Sequence, residues 1–140
     1  MKKLIWMILA CSVMNYAQAK TTYTGEDLSG VYDCTGDDAK EGKYKATATL
    51  NLKPEQSTGI YASYDFKLSV QGFGVYLGEA VAQGDNVAMH FALNELNTRD
   101  IGTGIAKFKR NSQGKQTFHK FYYEPEYKGG NYGFEDCVER

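Results

Sequence analysis

A chain of 140 residues with 16 basic and 17 acidic side chains is one domain's worth of sequence. Its basic residues are scattered and not in excess, which excludes the electrostatic footprint of a nucleic-acid-binding protein. Beyond the N-terminal stretch, no hydrophobic run is long enough to cross a membrane as a helix.

Residues 1–19 read as a signal peptide. Lys2 and Lys3 give a positive start, and Leu4 to Met14 is an apolar run interrupted only by Cys11 and Ser12. Ala17-Gln18-Ala19 then supplies the small-x-small pattern of a cleavage site. The run is shorter than the about twenty residues a bilayer span needs. Ile8-Leu9-Ala10-Cys11 loosely follows a lipoprotein box, in which Cys11 would be lipidated. Leu9 fits that pattern poorly, so cleavage after Ala19 is the expectation, with an exported protein, periplasmic or secreted, as its consequence.

Cleavage leaves 14 basic against 17 acidic residues and two cysteines, Cys34 and Cys137. An even cysteine count in an exported chain points to a disulfide, since an oxidising compartment lets it persist. The bridge would tie the first strand to the last; the alternative is two buried free thiols.

Taken in order, residues 20–29 show no periodicity and read as a flexible N-terminal arm. Gly30 to Cys34 begins the first strand. Asp37 to Gly42 is acidic and reads as a solvated turn, because it lacks the spacing of a dedicated calcium loop. Tyr44, Ala46, Ala48, Leu50 and Leu52 alternate with polar residues, as a half-buried strand requires, and Pro54 ends it. The period returns with Ile60, Ala62, Tyr64, Phe66, Leu68 and Val70 inward. Phe73, Val75 and Leu77 open a fourth strand that continues through Ala82. Gly84-Asp85-Asn86 is a hairpin signal, followed by Val87, Met89, Phe91 and Leu93.

A polar connector from Asn94 to Asp100 leads to a strand over 101–109, where Gly102 and Gly104 share a face and suggest a bulge or a tight corner. Gln116 to Glu124 is an aromatic-rich strand closed by Pro125. Tyr132 to Val138 is the last, bearing Cys137. A Gly-x-Tyr triplet recurs near turn-to-strand boundaries, as at Gly30 and Gly130, with spacing too irregular for a true repeat.

Eight strands joined mostly by short turns predict an all-β, antiparallel, up-and-down β-barrel over residues 30–140. Closure removes exposed edges and makes the two ends neighbours, which is what a terminal disulfide needs. A β-sandwich is the alternative.

Leu28-Ser29-Gly30-Val31-Tyr32 resembles the Leu-x-Gly-x-Trp opening of calycin-type barrels, the lipocalins and avidins, with Tyr32 where those families carry Trp. The resemblance implies a small molecule held inside the barrel. Tyr32-Asp33-Cys34 is similar to the Tyr-x-Cys of periplasmic inhibitors of C-type lysozyme, whose Ser-Gly-x-x-Tyr loop has only a loose echo at Ser57 to Tyr61. The ending from Gly129 to Cys137 resembles uncharacterised exported bacterial proteins.

No nucleophile motif, phosphate loop or metal-ligand spacing occurs, and no cofactor or metal is expected. His90 and His119 read as ordinary sheet positions. Glu79 shares a face by phase with Phe73, Val75 and Leu77; pointing inward it would need a ligand or an internal partner, and a bulge would turn it to water. Phe118, Phe121, Tyr122, Tyr123, Tyr127, Tyr132 and Phe134 concentrate aromatic rings on both faces of the last strands, a composition typical of contact surfaces. The expectation is a non-enzymatic binding protein. Its contact residues would be Glu79, Tyr122, Tyr123, Tyr127 and Tyr132, and its partner a small molecule, protein or glycan. An enzyme would need two of Glu79, His90 and His119 to converge in one pocket.

Overall fold

A computed structural model describes residues 19–140, so the expected signal peptide, and Cys11 within it, lie almost wholly outside the described residues. Eight strands follow one another: β1 (Gly30–Asp38), β2 (Gly42–Leu52), β3 (Tyr61–Val70), β4 (Gly74–Gln83), β5 (Asn86–Leu93), β6 (Ile101–Arg110), β7 (Gln116–Glu124) and β8 (Asn131–Glu139). Each pairs antiparallel with the next, and β8 pairs back onto β1 to close the barrel. The up-and-down barrel predicted from alternation and turn spacing is the observed fold; no sandwich forms. Cys34 and Cys137 face each other across the β1–β8 seam and are bridged, both buried within the barrel.

Inward and outward positions follow the predicted phase in most strands. Ala46, Ala48 and Leu50 of β2, Phe66 and Leu68 of β3, and Val87, Met89 and Phe91 of β5 are buried. Ile60, expected to open the inward row of β3, falls in the turn before it and is exposed.

β4 departs from the expected phase: Tyr76, Ala80 and Ala82 are buried, whereas Leu77 and Val81 are exposed, as is Phe73 in the turn before it. The wall here lies tight against β5, and a Cβ on Gly78 would overlap the His90 carbonyl. Gly102 and Gly104 likewise interrupt no pairing: both sit in continuous register with β5. They are notches that admit interior side chains, Phe91 at Gly102 and Lys120 at Gly104.

The interior divides into two halves. Toward the start of β1, Tyr32 packs edge-on against Phe108 and Phe118, with centroids 5.9 and 5.2 Å away, and these rings fill the barrel. Residues 20–29 form no regular strand, yet the stretch lies across this end and contacts it specifically. The Thr24 N–H donates to the Gly59 carbonyl at 2.8 Å, the Leu28 N–H to the Tyr64 hydroxyl at 3.2 Å, and Gln116 Nε2 to the Asp27 carbonyl at 3.0 Å. The Leu28 side chain is buried with the core. Leu28→Ala is therefore expected to lower the unfolding free energy in a urea titration by about 2–5 kcal/mol, the range for truncating a buried leucine. A loss below about 1 kcal/mol would show that the stretch does not cap the barrel.

No helix among the described residues is long and apolar enough to cross a membrane. The outer faces of β1 to β3 carry exposed Asp33, Lys43, Lys45, Asp65 and Lys67, so no apolar belt encircles the barrel.

Candidate binding site

The other end of the barrel is open. The β1–β2, β3–β4, β5–β6 and β7–β8 connections surround it, and below them a cavity of about 240 Å³ descends into the barrel. Its walls are aromatic and aliphatic, with Leu68, Val70, Phe73, Tyr76 and Phe91 on one side. Phe73, on the rim, stacks parallel to Tyr76 at 6.3 Å.

Alternation carries charge into this upper half. In β7, Phe118, Lys120, Tyr122 and Glu124 share the inward face; in β8, Asn131, Glu135 and Cys137 do so; in β1, Cys34 and Asp38 do so. Lys120 and Glu135 are register partners across β7–β8 and are 0% and 1% exposed, with Nζ 2.6 Å from Oε2. The contact is an ion pair without aligned hydrogen-bond geometry. The lysine is further held over the rings of Phe91 at 5.0 Å, Phe66 at 5.3 Å and Tyr122 at 5.4 Å, an arrangement that attracts a cation to the π face. The Tyr44 hydroxyl donates to Glu135 Oε1 at 2.6 Å.

Nearer the mouth, Asp38 accepts four hydrogen bonds: the Lys40 and Glu41 N–H groups on Oδ1, and the Tyr122 hydroxyl and Asn131 Nδ2 on Oδ2. Burial raises its pKa, but these donors outweigh burial and hold it below the ordinary carboxylate value. That stabilisation is present above the unfolded carboxyl's pKa and is lost on acidification. Asp37 and Asp38 thus extend β1 beyond its expected end, and Asp38 is a buried acceptor instead of part of a solvated turn. Two glycines make this possible. Cβ atoms at Gly36 and Gly133 would overlap the Tyr44 and Tyr122 rings, so only glycine lets these tyrosines cross to the carboxylates.

Glu124 accepts from Asn131 Nδ2 at 2.8 Å and interacts with Asp100, which takes the Tyr76 hydroxyl at 2.8 Å. Burial pushes Glu124 up to about 7, aided by the Asp100 charge against the opposing Asn131 hydrogen bond; burial also raises Asp100. Between the ordinary 4.5 and about 7, the folded chain holds a proton that the unfolded chain has lost. This carboxyl therefore destabilises the fold progressively as pH rises through that window. Glu124→Gln mimics the protonated acid, and is expected to stabilise by about 2–3 kcal/mol at pH 8 and little at pH 5. Urea titrations at the two pH values check this; equal effects at both would remove the titration from Glu124.

The predicted contact residues separate between two surfaces. Tyr122 and Tyr127 line the cavity, Tyr127 at the rim with its hydroxyl donating to Glu41 Oε1 at 3.0 Å. Lys128 completes that latch with an ion pair to Glu41. Tyr123 and Tyr132 are exposed register partners on the outer wall, beside the Phe121–Phe134 pair whose centroids lie 5.6 Å apart. Glu79 also points outward, by unbroken phase without a bulge, and Lys53 Nζ donates to it at 3.1 Å. Glu79 and His90 are cross-strand neighbours on the outer face, while His119 meets Asp136 at 2.8 Å. None of the three reaches the cavity.

Sequence reasoning missed Asp38, Tyr44, Tyr76, Asp100, Lys120, Glu124, Asn131 and Glu135. A signal for several was present. Once Cys34 and Cys137 are bridged inside the barrel, two-residue alternation places Asp38 and Glu135 inside as well, and Phe118 and Tyr122 do the same for Lys120.

Fold and site together define a closed eight-stranded antiparallel barrel, capped at one end and opening at the other into a charged cavity. No known protein family, curated protein or solved structure matches the chain.

Proposed function

We propose that the protein is a non-enzymatic binding protein that takes a small molecule in the open end of the barrel. The observation that carries this reading is the cavity itself: apolar and aromatic walls with a few fixed polar groups converging on one space, the usual make-up of a ligand site. At about 240 Å³, it lies just below the size range of about 300–1,000 Å³ for drug-sized ligands, which favours a compact guest. The calycin-like Leu28 to Tyr32 opening supports the same reading. The disulfide and the N-terminal stretch support export, because such a bridge persists in an oxidising compartment.

The test is a native mass spectrum of protein purified from an exporting bacterial host, beside a thermal-shift panel of small molecules. Wild type is expected to carry extra mass or to be stabilised by panel compounds. Val70→Trp, which fills the cavity at its rim, is expected to lose both responses. Ligand responses that survive in Val70→Trp would place the binding elsewhere. Absence of any response in wild type would overturn the reading.

A second reading, contact with a protein or glycan, is favoured by the outer wall. Ile105, Phe121 and Phe134 form an exposed row across β6 to β8, flanked by Tyr123 and Tyr132. Replacing Phe121 and Phe134 by Ser would abolish a contact made there while leaving cavity binding intact.

A further inference from the structure

We infer that the guest of the cavity is a small organic cation, a protonated amine on a compact apolar body, with its ammonium beside Glu124. The inference rests on the small-molecule reading above and specifies the chemical class.

Charge is the first ground. Four carboxyl groups line the space, Asp38, Glu41, Glu124 and Glu135, against one cation, Lys120. Lys120 is already neutralised by Glu135, and Glu41 by Lys128 at the rim. Asp38, and Glu124 once ionised, remain without a cationic partner, so an anionic guest would meet uncompensated negative charge in a partly desolvated space, where repulsion is strong.

Hydrogen bonding is the second ground. Glu124 and Asp100 interact carboxyl to carboxyl, and beside them Asp100 Oδ1 and Asn131 Oδ1 are buried acceptors without an aligned donor. Glu135 Oε2 does not add to this shortage, since Lys120 Nζ lies 2.6 Å from it. The carboxyl pair is short of donors, and an ammonium on its cavity side, at Glu124, brings three donors and no acceptor.

The aromatic walls supply the third ground. Tyr76, Phe91 and Phe73 offer apolar area for the body of the guest, and ring faces that tolerate a neighbouring cation.

Glu124 also gives the interaction a pH signature. Titratable and charged groups around it are Asp38 from β1, Tyr76 from β4, Asp100 from the β5–β6 connector, Lys120 and Tyr122 from its own strand, and Tyr127 at the rim. An arriving ammonium favours the ionised carboxylate, so cation binding releases the Glu124 proton at neutral pH and strengthens as pH rises.

The experiment is calorimetric titration of the intact protein with benzylamine, benzyl alcohol and benzoate, which share a ring and differ in charge. At pH 8 benzylamine is expected to bind about tenfold or more tightly than benzyl alcohol, the scale of one charge-assisted hydrogen bond, and benzoate more weakly than either. The amine's affinity should fall several-fold from pH 8 to pH 6 while the alcohol's stays level. Glu124→Gln should bring amine and alcohol to similar affinity. Should alcohol or benzoate bind as well as the amine, with Val70→Trp abolishing the binding, the cation inference fails and the small-molecule reading stands. If none of the three binds and no panel compound does, both fail together.

Discussion

Replacing Cys34 and Cys137 together by alanine is expected to cost on the order of 4–5 kcal/mol of unfolding free energy. The bridge spans 103 residues, and in the chain-entropy account a closed loop of about that length withdraws this much conformational freedom from the unfolded chain. The location adds to the expectation. The two cysteines are directly opposed in the register that joins the first and last strands, the contact most distant in sequence and the slowest to find. Denaturant titrations of the double variant and the wild type under non-reducing conditions measure the loss. The denaturant slope should rise in the variant, because its unfolded chain exposes more surface. A loss below about 1 kcal/mol would mean that seam pairing alone secures closure.

Lys120→Met is expected to be comparably damaging. It removes one member of a buried ion pair and leaves Glu135 inside the barrel with only the Tyr44 hydroxyl to stabilise a charge. Breaking such a pair from one side typically costs about 3–5 kcal/mol, whereas replacing both partners by neutral groups is often close to neutral. The double variant Lys120→Met/Glu135→Gln should therefore recover most of what the single variant loses, since Gln still accepts from Tyr44. Urea titrations of the three proteins close the cycle, and a coupling energy near zero would show that the pair does not act as a unit. The ion pair is a weak source of stability, and its place at the base of the cavity connects it to the site instead. It fixes Lys120 beneath Phe91 and Tyr122 and cancels its charge, leaving the acidity of the mouth to Asp38 and Glu124.

Much of the barrel was legible in the residues. The sequence bounds of β7, Gln116 to Glu124, coincide with the observed strand, because Pro125 ends it and its aromatic residues favour a strand. The inward rows of β2 and β5 followed from strict alternation, and the bridge from an even cysteine count. β4 was harder to read. Leu77 and Val81 face outward while Tyr76, Ala80 and Ala82 face in, so its two faces are similarly apolar and hydrophobicity alone does not fix the phase. The site was harder still. Charged residues inside a barrel violate the rule that reads polar as exposed, so Asp38 reads as turn and nothing local marks Lys120, Glu124 and Glu135 as interior.

From the residues alone come the strand count, the antiparallel order, the expectation of a Cys34–Cys137 bridge and the aromatic richness of the last two strands. These follow from local chemistry: side-chain alternation, turn residues and cysteine parity act within a few positions or through simple counting. Three-dimensional packing sets which end is capped by Leu28 and which is open, that Tyr122 and Tyr127 line a cavity while Tyr123 and Tyr132 face out, and that four carboxyl groups share that cavity with one lysine. The reason is register. Lys120 meets Glu135, and Asp38 meets Tyr122 and Asn131, through pairings and cross-barrel distances that no single strand contains. Their stability depends on partners up to 93 residues away in the chain.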